Sequence, residues 1–227
     1  MKPNLQYCAQ HYLRQWMTEE RPLHEALNSE DRETILQGLS DAVRFFKVAR
    51  NLPKKYDVGR GLRRYEPLLN IFQTFTTGRS PSSADFADHV DQFQRKLSSL
   101  YGRRDLISIA SKLLWLRYRD PFIIYDSRVR SAIGVSPGDY PEFVMAWLSH
   151  FQHLESEIAV VRRSLPNLLP YFLADTADTE QVVHAACSES WFHQRVFDIY
   201  LWHIGGGADN NSLEATGDAA RFAYKVV

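Results

Sequence analysis

The chain has 227 residues, 44% hydrophobic and 13% aromatic, enough apolar material for one substantial core. Two cysteines leave no room for a disulfide framework or a four-cysteine zinc or iron–sulfur site. No run of about 18 apolar residues is present to span a bilayer. The 27 basic and 27 acidic residues cancel, but unevenly. Between Arg44 and Arg64 eight basic residues face one acid, and between Arg95 and Arg130 nine face three. Two such windows in a neutral chain suggest one positive face, for which a phosphate-bearing polymer is the usual partner. Ordinary solvated helix faces are the plainer alternative. The segment Met1-Lys2-Pro3-Asn4-Leu5 lacks the apolar core of a signal peptide, so a cytoplasmic location and no membrane partner are expected. The eight histidines are scattered, and neither a metal nor a cofactor is expected.

The pattern is mostly helical. Leu5 to Met17 and Glu30 to Val48 carry apolar residues at three- and four-residue spacing, with Ser29 placed to cap the second. Pro53 closes that region and opens a basic loop from Lys54 to Gly61. A helix over Pro67 to Phe75 precedes a turn-rich linker, Thr76 to Ser83, and Ser83 can cap a helix over Asp85 to Leu100. Asp105 to Tyr118 is the next helix, and Pro121 to Tyr125 reads as a short extended piece. Ser127 to Ile133, Pro141 to Phe151, Glu155 to Ser164 and Thr179 to His184 follow as helical segments. The last helix, Glu189 to Ile204, is stopped by Gly205-Gly206-Gly207. The expectation is an all-α domain over 1–227, divisible into lobes at 1–78 and 79–207, with a tail at 208–227.

The chemistry concentrates between Ile109 and Ile133. At 100° per residue, Leu106, Ile107, Ile109, Ala110, Leu113, Leu114 and Leu116 share one side of their helix. Ser108, Ser111, Lys112, Trp115 and Arg119 share the other, which predicts that Lys112 faces outward into a groove or onto plain surface. Asp126 ends the apolar run Phe122-Ile123-Ile124-Tyr125 and is placed to cap the helix from Ser127, a role compatible with catalysis. On the last helix Trp191, Arg195, Asp198 and Trp202 fall on one face. They read either as a buried ion pair between two tryptophans or as the wall of a pocket for an unstacked base.

Ser111-Lys112, followed by Pro121-Phe122-Ile123-Ile124-Tyr125-Asp126-Ser127-Arg128-Val129, resembles the core of the helix–hairpin–helix DNA glycosylases. It looks most like bacterial proteins with an 8-oxoguanine DNA glycosylase fold. In that superfamily a lysine follows the hairpin, and an aspartate stands in a Val-Asp-Thr-His-Val-like segment at the start of a later helix. The resemblance implies that Lys112 and Asp126 are catalytic, that double-stranded DNA is the partner, and that a base is flipped out and its N-glycosidic bond cut. Arg60, Arg63, Arg64, Arg103, Arg104, Arg128 and Arg130 are the matching candidates for gripping the backbone. Trp115, Tyr125, Trp191, Arg195, Asp198 and Trp202 are candidates for contacting the base, with Tyr56 and Tyr65 as further aromatics. The chain departs from the family in its hairpin, where Asp105-Leu106-Ile107-Ser108-Ile109-Ala110 replaces the usual Leu-Pro-Gly-Val-Gly, and in a shorter lysine–aspartate spacing. Modified bases in phage DNA and oxidised or alkylated bases are the two substrate classes in view. A catalytically silent DNA-binding module and a helical protein-interaction subunit are the competing functions.

Overall fold

The computed structural model describes residues 4–52, 63–75, 86–102, 105–171 and 178–206, and every regular element among them is helical. The protein is all-α. Helix α1 (Leu5–Gln15) starts where Asn4 accepts the Tyr7 N–H, and a π-helical turn (Trp16–Glu20) carries it into α2 (Arg21–Leu27). Pro22 opens α2, where its missing N–H costs nothing. The turn and α2 were not expected. Helix α3 (Arg32–Phe45) is capped by Asp31 instead of Ser29, whose hydroxyl accepts the Asp31 N–H and braces the cap. Then come α4 (Glu66–Thr74), α5 (Phe86–Tyr101), α6 (Ile107–Tyr118) and α7 (Ser127–Ala132). The predicted basic loop at 54–61, the linker at 76–83, the Ser83 cap and the tail at 208–227 lie outside the described residues.

The two segments expected at 141–151 and 155–164 are one helix, α8 (Tyr140–Ser164), capped by Asp139. No proline or glycine interrupts its interior, and Phe151, Leu154 and Ile158 continue the apolar spacing across the supposed break. Helices α9 (Asp178–Ser188) and α10 (Ser190–Gly205) complete the order. Packing joins distant parts of the chain, since α10 lies against α1, α7, α8 and α9, while α6 lies against α2 and α5. No helix among the described residues is long and apolar enough to cross a membrane.

Gly205 belongs to α10 instead of merely stopping it. A Cβ there would stand 1.9 Å from the Arg128 carbonyl oxygen on α7, so only a glycine lets the two backbones approach this closely. Gly205→Ala is expected to destabilise the fold by about 1–3 kcal/mol, the usual cost of overpacking. Denaturant unfolding checks this, and an unchanged midpoint would refute the close approach.

Candidate functional site

The segment between α6 and α7 is fixed before it reaches Asp126. Tyr140 donates its hydroxyl to the Ile123 carbonyl at 2.7 Å, and the Tyr125 N–H donates to Ser111 Oγ at 2.9 Å. The run Phe122–Tyr125 is buried, as its apolar sequence predicted, and belongs to no helix or strand. Asp126 then caps α7, its Oδ1 accepting the Arg128 N–H at 3.0 Å. Its other oxygen meets Lys112, whose Nζ lies 3.1 Å from Oδ2 and 3.0 Å from Ser108 Oγ.

Lys112 is not on an outward face. It is 5% exposed, and Ser111 and Trp115 beside it are equally enclosed. The angular argument found the most apolar side of α6 correctly, but the opposite side is covered too. Phe46 from the end of α3 lies 5.5 Å from the Lys112 ammonium, and Arg195 of α10 lies over Trp115. A helix sealed on all sides has no solvent face to read from its periodicity.

A cavity of ≈ 260 Å³ opens on this pair. Phe45, Phe46, Ile199 and Trp202 supply its apolar wall, while Lys47, Lys112, Asp126, Arg195 and Asp198 supply its charge. His11 and His203, with ring centroids 5.8 Å apart, also line it. Burial holds both imidazoles below their ordinary pKa, aided by His203 and Arg195 around His11 and by Arg128 beside His203. At Asp126 burial works against ionisation, but the Lys112 ammonium and the Arg128 N–H outweigh it and keep the carboxyl below its ordinary value.

The floor is a buried ion network. Arg195 donates through Nε and Nη2 to Glu20 Oε1, at 3.1 and 2.8 Å, and through Nη1 to Asp198. Gln15 also donates to Glu20 at 2.8 Å. Glu20 is fully buried and Asp198 is 4% exposed. Burial pushes the Asp198 carboxyl up to about 6, further than Arg195 can pull it down. The ion-pair reading of Arg195 and Asp198 therefore describes their contacts, and both also line the cavity.

This network makes stability depend on pH. Asp198 holds its proton to higher pH when folded than when unfolded, so its stabilising share is complete below about pH 4 and fades as pH rises through about 6. Asp126 acts in the opposite sense and loses its share as pH falls. The Asp198 share lost between about pH 4 and 6 is expected to be about 3 kcal/mol. Asp198→Asn should remove that slope from denaturant titrations across this range, and an unaltered slope would assign it elsewhere.

No protein-family model, curated protein or solved structure matches the chain. The site therefore rests on its own geometry.

The other predicted positions divide. Trp202, 39% exposed with the Arg128 guanidinium 4.3 Å from its ring, sits on the cavity wall. Trp191 does not line the cavity; it covers Arg119, which lies between Trp191 and Trp115 at 4.1 and 4.8 Å. Trp115 is a core residue and Tyr125 is buried, its hydroxyl accepting the Gly138 N–H. Arg130 donates to the Val135 carbonyl. Arg63 pairs with Glu33, while Arg64 donates to the Ala49 and Leu52 carbonyls and lies over Tyr65. These three line a roomier cavity of ≈ 360 Å³ beside α3, away from Lys112 and Asp126. Arg60, Arg103, Arg104 and Tyr56 lie outside the described residues. Glu20, His11, Phe46, Lys47 and His203 were not anticipated. None had a visible signal; Glu20 stands in a polar stretch, Thr18-Glu19-Glu20-Arg21, whose other members are exposed or half-buried.

Proposed function

We propose that the protein is a DNA N-glycosylase that excises a damaged or modified base turned out of the duplex. The carrying observation is the enclosed Lys112–Asp126 pair opening on a cavity of ≈ 260 Å³ with aromatic walls. A planar base suits that cavity, since aromatic faces stack on any base. The resemblance of the Lys112 and Asp126 segments to the helix–hairpin–helix glycosylases supports the same reading.

Asp126 is ionised at neutral pH. A fixed carboxylate stabilises the positive charge that builds on C1′ as the glycosidic bond breaks. In the simplest course the bonding electrons leave with the base, water oxygen bonds to C1′, and Asp126 takes the water proton. At rest Lys112 serves Asp126 as its ion-pair partner. If it instead attacks C1′, the ammonium must first pass a proton along the 3.1 Å contact to Asp126 Oδ2, and the product is a Schiff base that permits strand nicking.

Purified protein incubated with unmodified duplex, oxidised or alkylated duplex, and phage DNA bearing modified cytosines tests the proposal. Mass spectrometry of the supernatant is expected to detect one free base. Borohydride trapping that is lost in Lys112→Gln would assign the amine route. Tight DNA binding with no base released from any substrate would move the assignment to a silent DNA-binding module.

A further inference from the structure

Of the five charged side chains that line the cavity, four are matched inside the protein. Lys112 pairs with Asp126, and Arg195 holds both Asp198 and the buried Glu20. Lys47 is the fifth. Among the described residues its ammonium has no hydrogen-bond or ion-pair partner. It is exposed, on the open side of the cavity, whereas Lys112 is enclosed. Its backbone is unusual as well. Helix α3 ends in a Schellman turn, the Lys47 N–H donating to the Arg44 carbonyl and the Val48 N–H to the Val43 carbonyl, each at 3.0 Å. The residue at the bend of such a turn is left-handed and usually glycine, yet Lys47 takes that place at φ 55°. A Cβ makes the conformation costly, and departures of this kind cluster where ligands are held. The same turn carries Phe46, whose ring stands 5.5 Å from the Lys112 ammonium. The Lys47 backbone is therefore fixed beside the Lys112–Asp126 pair, with an uncommitted amine.

We propose that Lys47 binds the phosphate of the nucleotide whose base enters the cavity. This rests on the glycosylase reading above and names the group that holds the extruded backbone. A base between the aromatic walls, with its C1′ near Asp126, leaves its phosphate on the open side, where the exposed ammonium meets it. A compact charge on a flexible four-carbon stem suits a phosphate whose position is set by the base and sugar. Neither Lys112 nor Arg195 can take this part without leaving a carboxylate unpaired. The negative end of α3 also favours a cation at Lys47, so a test must separate that electrostatic role from phosphate binding. A free nucleotide carries the same phosphate chemistry as a DNA strand, and the test distinguishes the two.

Lys47→Gly in the full chain isolates the amine, because glycine fits the left-handed turn and only the side chain is lost. Its unfolding midpoint is expected to stay close to that of the wild type. The probe is a duplex with a reduced abasic site, whose sugar and phosphate can turn out whichever base the protein prefers. At about 0.15 M salt its affinity, read by fluorescence anisotropy, is expected to fall about three- to fivefold. The slope of log K against log salt should shrink by about 0.9, the share of one duplex phosphate. Lys47→Arg should restore both. Calorimetry with each deoxynucleoside 5′-monophosphate supplies the second arm. A monophosphate that loses affinity in Lys47→Gly while the duplex slope is unchanged would keep the phosphate contact and overturn the DNA reading. No change in either arm would overturn the inference and leave Lys47 a partner of the α3 dipole. Base release from DNA in that case would keep the glycosylase reading intact. A smaller slope without base release from any duplex would keep this assignment and overturn the chemistry instead.

Discussion

Asp126→Asn should slow base release by about 10²–10⁴-fold while leaving DNA affinity within about threefold. Asparagine has almost the same shape and caps helices as well as aspartate, so the bond from the Arg128 N–H survives and α7 keeps its start. What disappears is the negative charge. C1′ then develops its cation without a carboxylate, water loses its base, and Lys112 loses the partner at 3.1 Å. Single-turnover release and fluorescence anisotropy on the same DNA separate the two effects. Weakened binding with an unchanged release step would remove Asp126 from the chemistry and leave it a structural cap.

The largest stability effect is expected at Arg195. In Arg195→Met the guanidinium that holds Glu20 and Asp198 is gone, and the fully buried Glu20 has lost its cation. Removing one side of a buried ion pair costs about 3–5 kcal/mol, because the remaining charge stays desolvated. For a domain of this size that lowers the thermal midpoint by about 10 °C. Adding Glu20→Gln should recover part of the loss by removing the stranded charge, a gain that double-mutant analysis isolates. A shift below about 1 kcal/mol in the single variant would mean that the carboxylates had found water.

Much of this architecture was legible along the chain. The regular three- and four-residue spacing located α1, α3, α4, α5, α6 and α10, and an aspartate after four apolar residues marked the cap of α7. The orientation of Lys112 was not legible. Periodicity ranks the sides of a helix by polarity but cannot reveal that α10 and the end of α3 cover the more polar one. The partner of Arg195 was equally hidden, since Glu20 lies 175 residues away and only the packing of α1 on α10 unites them. The basic windows share this limit of a linear reading. Summing charge over sequence counts Arg63 as available, yet Glu33, 30 residues earlier, neutralises it in space.

The close approach of Gly205 to the Arg128 carbonyl bears on when the cavity is completed during synthesis. Lys112 and Asp126 leave the ribosome long before α10, which carries Arg195, Asp198 and Trp202 and presses on α7. A nascent chain that has not reached α10 holds the Lys112–Asp126 pair without the side chains of Arg195, Asp198, Ile199 and Trp202 that line the cavity beside it. A translation product cut short there would carry both residues without the cavity that α10 helps to enclose. The cavity is thus complete only once α10 has been made and docked on α7.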